Sequence, residues 1–209
     1  TNTLLLLSVE SASKALFLCT TPSKFIEMIS KGQLLIAQPH LTTDRDFGKS
    51  VILITDVNTD GVVGFILNKP LPFQLSDIVS DTKQNFNVFN GGPVESENLY
   101  FLHSAPDKID DGMRISETLY WGGSFEKTMD LLKQHALTTT EIRFFMGYSG
   151  WTYTQLEQEI ADGCWIVVDD LKLSTLFKEP TKTFWKVLLS LQGAQYQEWI
   201  NTPDDPRLN

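Results

Sequence analysis

Short apolar runs separated by turn-forming residues dominate the middle of the chain, and they predict β-strands. Residues 34–38 are apolar and precede Pro39, which favours extended structure in the residue before it. Residues 50–56 and 62–68 are rich in β-branched side chains and lie on either side of an Asp-Gly turn signal. This arrangement predicts an antiparallel hairpin that turns at Asn58–Gly61.

Further along the chain, strand-like and helix-like periods alternate. Pro70 and Pro72 end the second hairpin strand, because proline cannot donate to a strand ladder. More strands are predicted at residues 86–89, 99–104, 114–121, 141–148 and 164–170, and helices at residues 73–81, 124–137, 152–163 and 181–193. Hairpins come first and strand–helix–strand units later, which predicts an α+β fold with a mixed, largely antiparallel sheet and helices packed on its faces. A purely parallel, doubly wound sheet is the alternative.

Length and composition indicate one self-sufficient domain. The 209 residues are 42% hydrophobic and 21% charged, which is ordinary for a globular protein. We expect an N-terminal extension at residues 1–31, the domain at residues 32–193 and a C-terminal tail at residues 194–209. The apolar run at residues 4–7 is too short for a signal peptide, and no run approaches the ~18 residues of a membrane helix, so we expect neither.

Net charge and cysteine content limit the classes of partner and the cellular location that we expect. The chain has 17 basic and 26 acidic residues, for a net charge of −9, and its densest group of lysines, in residues 172–186, is interrupted by acidic side chains. Because DNA binding draws much of its affinity from Lys and Arg, we expect no direct contact with nucleic acid. Cys19 and Cys164 lie in apolar runs and are expected to be buried reduced thiols, which favours a cytoplasmic location.

The sharpest local motif is Gly147-Tyr148-Ser149-Gly150-Trp151, between a predicted strand and a predicted helix. A nucleophile elbow places a serine in that context, but here the last glycine of the elbow pattern is replaced by tryptophan. All three histidines precede the serine, whereas in α/β-hydrolases the partners of the serine follow it. A hydrolase that uses Ser149 is one hypothesis, although the motif lacks that glycine and that order of partners.

Two non-catalytic interpretations fit the same motif. The glycines suit a sharp structural turn, Thr152 and Gln155 match a capping box, and Trp151 can staple to the first helical turns. Alternatively, backbone N–H groups at the helix start can hold a small anion, with Gly91-Gly92-Pro93 supplying a second turn. We favour the structural turn, shaping a surface pocket.

Metal and cofactor chemistry has little support. The three histidines are far apart in sequence, and no metal-type His or Cys spacing occurs. The acidic group Asp107, Asp110 and Asp111 lacks the pattern of a calcium loop. The sequence therefore predicts no metal and no cofactor, and the five tryptophans are expected to be core or interface residues.

Taken together, several segments resemble the YqgE/AlgH family of bacterial proteins. The resemblance rests on GQLLIAQPHL (32–41), DFGKSVILI (46–54), GVVGFILNKPL (61–71), NGGPV (90–94), LHS (102–104) and RFFMGYSGWTYTQLEQEI (143–160). It implies a compact α+β fold around a bent mixed sheet, and no agreed catalytic residues. Some members are labelled transcriptional regulators, but nothing in this chain predicts a DNA-binding helix-turn-helix.

Three classes of function follow from the sequence. The first is a non-enzymatic binding or regulatory protein, with a protein partner or a small anionic ligand. Its candidate site combines residues at strand ends and turns, where binding residues concentrate: Asn68, Lys69, Gly91, Gly92, Pro93, His103 and Gly147–Trp151. The second is the Ser149 hydrolase, and the third is a regulator that acts indirectly through protein partners.

Overall fold

The computed structural model describes residues 29–80, 82, 84–169, 177 and 181–201. Within them lie ten strands: β1 (Leu34–Ala37), β2 (Val51–Asn58), β3 (Gly61–Ile66), β4 (Pro70–Gln74), β5 (Asn87–Asn90), β6 (Val94–His103), β7 (Met113–Arg114), β8 (Tyr120–Trp121), β9 (Ile142–Trp151) and β10 (Trp165–Val168). The α-helices are α1 (Leu75–Ile78), α2 (Phe125–Lys133), α3 (Tyr153–Ala161), α4 (Thr181–Ser190) and α5 (Gln197–Asn201), and 3-10 helices span Pro39–Thr43 and Ala194–Tyr196.

The strands form one large sheet in the order β10-β1-β2-β3-β9-β6-β8-β7. Every neighbouring pair is antiparallel except β5 with β9, and β4 joins the sheet through β5. The predicted α+β fold is therefore confirmed, and the doubly wound alternative is wrong. The predicted hairpin is also confirmed, since β2 and β3 pair from Asn58↔Gly61 to Ile52↔Ile66.

Strand β9 connects the two halves of the sheet. Along one edge it pairs with β6, and along the other with β5 and then with β3. Its first residues thus belong to the half formed by β4 to β8, whereas its last three residues belong to the half formed by β1, β2, β3 and β10.

Helices cover both faces of this sheet. Helix α4 lies over one face, where its Trp185 Nε1 donates to Ala37 O at 2.8 Å and its buried residues join the largest hydrophobic cluster. On the opposite face, α3 packs on the β1–β3 half through Leu156, and α2 packs on the other half through Met129 and Leu132. The central strands are buried on both faces, which explains their nearly continuous apolar sequences.

Two predictions about strands are wrong. Residues 114–121 form two short strands, β7 and β8, because the polar segment between them turns, with Ile115 N donating to Leu119 O at 2.9 Å and Thr118 N to Ser116 Oγ at 3.3 Å. Residues 70–74 form the unpredicted strand β4, and prolines are tolerated there because its ladder to β5 is sparse.

The predicted helices begin close to their expected positions. Ser124 caps α2 by accepting a hydrogen bond from Lys127 N at 3.4 Å, and Gly163 closes α3 with a φ of 73°. Cys164 is reduced and half-buried, rather than fully buried as predicted, and Cys19 lies outside the described residues. Most of the predicted N-terminal extension and residues 202–209 also lie outside them.

Candidate functional site

The two glycine-rich motifs meet where the connection from β5 to β6 crosses β9. Gly91 N donates to Met146 O at 2.8 Å, and Ile66 N donates to Gly91 O at 3.0 Å. Ser149 Oγ donates to the same Gly91 carbonyl at 3.1 Å, across 58 residues of sequence. The motifs therefore join β3, β5 and β9 at one point.

This crossing requires glycine because the two backbones touch. A Cβ on Gly91 would lie 2.1 Å from Gly147 O, and one on Gly92 would lie 2.4 Å from Ser149 Oγ. A Cβ on Gly147, whose φ is 68°, would lie 2.6 Å from Gly92 O. Pro93 is exposed and immediately precedes β6. The motif residues are thus explained by the close approach of two chain segments.

The second motif does not form the turn that its glycines suggest. Strand β9 continues to Trp151, and its last three residues pair with β3. The reversal comes at Thr152, whose Oγ1 accepts a hydrogen bond from Gln155 N at 3.2 Å and begins α3. The Gln155 side chain donates to Glu159 Oε1 at 2.9 Å, so only half of the predicted capping box is present. The turn prediction is wrong because Gly147 serves the crossing inside a strand.

Ser149 has none of the surroundings of a nucleophile. Its side chain is fully buried, and its hydroxyl hydrogen bond goes to a backbone carbonyl. Among the described residues, no histidine nitrogen or carboxylate oxygen is hydrogen-bonded to Ser149 Oγ. His103 lies opposite Ile142, at the other end of β9, which places it about 20 Å from Ser149 at ~3.3 Å per residue.

Two backbone donors at the crossing have partners within the fold. Residues 149–151 lie in the ladder with β3. Gly91 N donates to Met146 O, and Gly92 N donates to Asn90 Oδ1 at 3.0 Å. The N–H groups of Gly91 and Gly92 are therefore already used within the fold.

Asn68 and Lys69 lie beside the crossing and hold a neighbouring loop. Asn68 accepts a hydrogen bond from Val51 N and donates to Lys49 O, both at 2.9 Å. Lys69 Nζ donates to Asp46 O at 2.6 Å. Burial lowers the pKa of Lys69, against the opposing charges of Asp44 and Asp46. Both side chains therefore have structural partners.

His103 is separate from the other candidates. It is fully buried at the end of β6, with Nδ1 accepting from Ala105 N at 3.2 Å and the ring stacked on Tyr120 at 5.5 Å. Its Nε2 is buried without a hydrogen-bond partner among the described residues, and Gly112 closely approaches this atom. Burial lowers the pKa of His103 to about 4, against a smaller opposing effect of the Gly122 backbone, so the ring is neutral near pH 7.

Tyr148 and Trp151 are core residues on opposite faces of the sheet. Burial raises the pKa of Tyr148 to about 12, with a contribution from the charge of Glu95. Trp151 Nε1 donates to Glu159 Oε2 at 3.0 Å, and Trp165 Nε1 donates to the same oxygen at 2.7 Å. One carboxylate oxygen therefore serves two indoles, and Gly150, between the two core residues, pairs with β3.

Arg143 was not predicted as a site residue, and it is a buried cation within the apolar strand β9. It is 7% exposed, and its Nη1 donates to Leu67 O at 3.1 Å. Its Cζ lies 4.6 Å from the centre of the Phe89 ring and 5.3 Å from that of Phe177. Burial lowers its pKa to about 10. The available signal was a lone cation inside an apolar strand.

The described part of the chain contains neither a metal-type cluster of side chains nor a helix that could span a membrane. Within it, no group of three or more His, Cys, Asp or Glu side chains is placed to hold a metal ion. None of its helices has both the length and the apolar composition needed to cross a membrane.

Relatives of the chain are found in several bacteria. A UPF0301 protein of Cytophaga hutchinsonii is 36% identical over 184 residues, which is 87% of this chain and 100% of the relative. A UPF0301 protein of Bacteroides fragilis is 37% identical over 184 residues, covering 87% of this chain and 92% of the relative. Neither name states an activity.

Two solved structures share the fold. The crystal structure of protein DIP2367 from Corynebacterium diphtheriae aligns with a TM-score of 0.66 at 20% identity, covering 83% of this chain and 93% of that protein. The solution structure of AlgH from Pseudomonas aeruginosa aligns with a TM-score of 0.65 at 20% identity, covering 89% and 98%. The sequence model of the AlgH-like family matches residues 34–197. The chain therefore belongs to the AlgH-like family, which also comprises the UPF0301 proteins.

Proposed function

We propose that this chain is a non-enzymatic, cytoplasmic binding or regulatory protein. The observation that supports this is the state of Ser149, the one residue whose motif suggested catalysis. Its hydroxyl is fully buried and donates to Gly91 O at 3.1 Å. A catalytic serine needs a base within hydrogen-bonding reach and access to substrate.

The surrounding residues support the same conclusion. Gly91 O accepts from both Ser149 Oγ and Ile66 N, so the serine completes a junction of three strands. Moving Ser149 into an attacking position would break that hydrogen bond. The cytoplasmic location is supported by the sequence alone, through its low cysteine content.

Labelling with a fluorophosphonate probe tests this proposal. The full chain and its Ser149→Ala variant are treated under folded conditions, with an active serine hydrolase as positive control. We expect no labelling of the native chain beyond that of Ser149→Ala. Covalent adduct on the peptide that contains Ser149, absent from the variant, would show that the serine is a nucleophile.

A second candidate function is regulation through a protein partner. Val187 and Leu191 near the end of α4 are 47% and 68% exposed, and Trp199 of α5 is 42% exposed. Large exposed apolar side chains on neighbouring helices are typical of protein–protein contacts. Co-precipitation with Leu191→Lys, against Gln197→Lys as the control for added charge, tests this. A partner retained equally by both variants would contradict the use of this surface.

Direct DNA contact is not part of either proposal. A gel-shift titration of the native chain with double-stranded DNA at near-physiological salt is expected to give no sequence-dependent complex below micromolar protein, because the net charge of −9 opposes phosphate binding. A tight, sequence-specific shift would contradict the indirect mode of regulation.

A further inference from the structure

Four aspartate or asparagine residues of the chain directly precede a glycine: Asp60, Asn90, Asp111 and Asp162. At such a dipeptide the glycine nitrogen can attack the side-chain carbonyl carbon, because glycine has no side chain that hinders the approach. The attack needs a side chain that can turn towards the main chain and a glycine N–H that no hydrogen bond holds. All four dipeptides lie among the described residues.

Three of these dipeptides are protected by the fold. Gly91 N donates to Met146 O at 2.8 Å, and Gly163 N donates to a carbonyl near the end of α3 at 3.0 Å. Gly61 is fixed in the ladder where the hairpin of β2 and β3 closes. Asn90 would otherwise react fastest, because a side-chain amide is attacked more readily than a carboxyl group. The structure therefore restrains the most reactive of the four dipeptides.

The dipeptide of Asp111 and Gly112 lacks this protection. The Asp111 side chain is exposed, and no described residue accepts a hydrogen bond from Gly112 N. A Cβ placed on Gly112 would first meet atoms of His103, Tyr120 and Gly122, and all three belong to a stretch of the chain that is described without a gap. The attacking nitrogen is thus not held by a hydrogen bond as it is at Gly91 or Gly163.

The backbone of Asp111 also favours a change of conformation. Its φ is 61°, in the left-handed region that a residue with a side chain occupies at a cost. Ring closure requires rotation about the main-chain bonds of the aspartate, and a strained starting conformation opposes this rotation less than a relaxed one. Asp162, with a φ of −77°, starts from an ordinary conformation.

We propose that Asp111 is a modification site, at which isoaspartate forms in the folded protein and is recognised by a carboxyl methyltransferase specific for isoaspartate. Gly112 N attacks Cγ of the neutral Asp111 carboxyl group, the N–Cγ bond forms, and the nitrogen proton and a carboxyl oxygen leave in a molecule of water. Water then opens the cyclic imide. Opening at the α-carbonyl leaves the main chain running through Cβ and Cγ, with a free α-carboxylate and an unchanged mass. This inference does not depend on the proposed binding function.

The rearrangement alters the cover of a buried histidine. A Cβ on Gly112 would lie 2.7 Å from His103 Nε2, so the glycine backbone lies directly against the ring. Isoaspartate adds one methylene group to the main chain immediately before this glycine. On the other side of the loop, Ser124 N at the start of α2 donates to Asp110 O at 3.0 Å and limits how the added length is absorbed. We therefore expect a changed environment of His103 in the modified chain.

Ageing of the full native chain at near-neutral pH tests the modification site. Proteolysis and mass spectrometry with fragmentation that distinguishes isoaspartate from aspartate then locate the product. We expect isoaspartate to accumulate at Asp111 about fivefold or more faster than at Asp60 and Asp162, which is the protection expected from one backbone hydrogen bond. In the urea-unfolded chain the three aspartates are expected to react at similar rates, and Asn90 faster than all of them. Equal rates at the three aspartates of the native chain, or no isoaspartate at Asp111, would overturn the proposal.

Two asparagine variants repeat the comparison with a faster reaction. Asp111→Asn and Asp162→Asn each place an amide before a glycine, and asparagine tolerates the left-handed backbone of Asp111. We expect deamidation, measured by its mass increase, to be about fivefold or more faster at position 111 than at position 162. A reaction that is as fast or faster in Asp162→Asn would show that the hydrogen bond of Gly163 N gives no protection.

Methyl transfer tests the partner. The α-carboxylate oxygen of isoaspartate takes the methyl group of S-adenosylmethionine, whose S–CH3 bond breaks. The aged native chain is incubated with an isoaspartyl methyltransferase and labelled S-adenosylmethionine, with the fresh chain and aged Asp111→Glu as controls, since glutamate closes the larger ring far more slowly. We expect label on the peptide that contains Asp111 in the aged native chain alone. Isoaspartate that stays unlabelled would exclude this partner, and unchanged NMR signals of the His103 ring in the aged chain would contradict the altered cover.

Discussion

The two ends of strand β9 differ in how their polar groups are satisfied. At the end that carries the sequence motif, Ser149 and the backbone of Gly91 and Gly92 all have partners within the fold. At the other end, Arg143 retains one hydrogen bond and two ring contacts, and His103 has a buried ring nitrogen without a partner. The glycine-rich motif therefore marks a structural crossing, while the buried polar groups with few partners among the described residues lie at the opposite end of β9.

The largest loss of stability is expected from a substitution at the crossing end of β9. In Gly91→Ala the new methyl group would lie 2.1 Å from Gly147 O, a backbone atom that cannot move without separating the strands. We expect a loss of about 4 kcal/mol or more in the free energy of unfolding, or failure to fold. Urea denaturation of the purified variant measures this loss.

Gly163→Ala is the matched control for that substitution. Gly163 has a φ of 73°, but a Cβ there would meet no atom within 4 Å. Only backbone strain is then added, which costs about 1 kcal/mol. Similar losses in the two variants would mean that the close approach at Gly91 is not what stabilises the crossing.

His103 gives the second effect, at the opposite end of β9. Its pKa of about 4 in the folded chain lies below the ordinary 6.5, so below pH 6.5 the unfolded chain takes up a proton that the folded chain does not. The stabilisation is complete above pH 6.5 and is lost as the pH falls towards 4. We expect a total loss of about 3 kcal/mol, of which about 1.2 kcal/mol falls between pH 7 and pH 5.5.

Urea denaturation at several pH values between 7 and 5.5 measures the contribution of His103 to the free energy of unfolding, since most carboxylates titrate below that window. His103→Asn cannot take up the proton, so its free energy of unfolding is expected to change less over the same interval, whatever its absolute value. Equal slopes in the native chain and the variant would show that another group is responsible.

Glu159 gives the third effect, because it holds the indole at the end of β9. In Glu159→Ala, the Nε1 donors of Trp151 and Trp165 lose their common acceptor. Since water reaches part of this half-exposed position, we expect a loss of about 2 kcal/mol, below the full cost of two orphaned buried donors. Glu159→Gln keeps an acceptor oxygen and is expected to lose about half as much. A loss below about 0.5 kcal/mol in Glu159→Ala would contradict a structural role for the pair of bonds.

Features set by neighbouring residues were predictable from the sequence. The hairpin follows from the Asp-Gly turn at Asn58–Gly61, and α2 and α3 begin at the capping residues Ser124 and Thr152. The fold class followed from the order of these elements, and the resemblance of ordered segments to the AlgH-like family was confirmed by the match over residues 34–197.

Features set by distant residues were not predictable. The glycines of residues 147–151 look like a turn in isolation, and only contact with Gly91, 58 positions away from Ser149, shows why a strand contains them. The environment of Arg143 likewise depends on Phe89 and Phe177, which are far from it in sequence. Local patterns cannot encode such contacts, so the candidate site followed the motif and omitted the buried cation.

The smallest change in stability is expected for Ser149→Ala, and its sign distinguishes a structural serine from a catalytic one at the crossing. Ser149→Ala removes one hydrogen bond, while Gly91 O keeps its bond from Ile66 N at 3.0 Å, so no buried acceptor is orphaned. We therefore expect a loss of about 1 kcal/mol in the free energy of unfolding. A serine held in place for catalysis often costs stability, and its removal would then leave the chain unchanged or more stable.

Ser50 is a matched control for this measurement, because both side chains are 0% exposed. Its Oγ has no hydrogen-bond partner among the described residues, so Ser50→Ala removes an unsatisfied polar group and is expected to be neutral or stabilising. Urea denaturation of the two variants side by side is therefore expected to show opposite or clearly unequal changes in the free energy of unfolding, although the chemical substitution is the same. Equal losses would assign the effect to the missing oxygen volume, and the bond from Ser149 to Gly91 would then contribute nothing measurable to the junction of β3, β5 and β9.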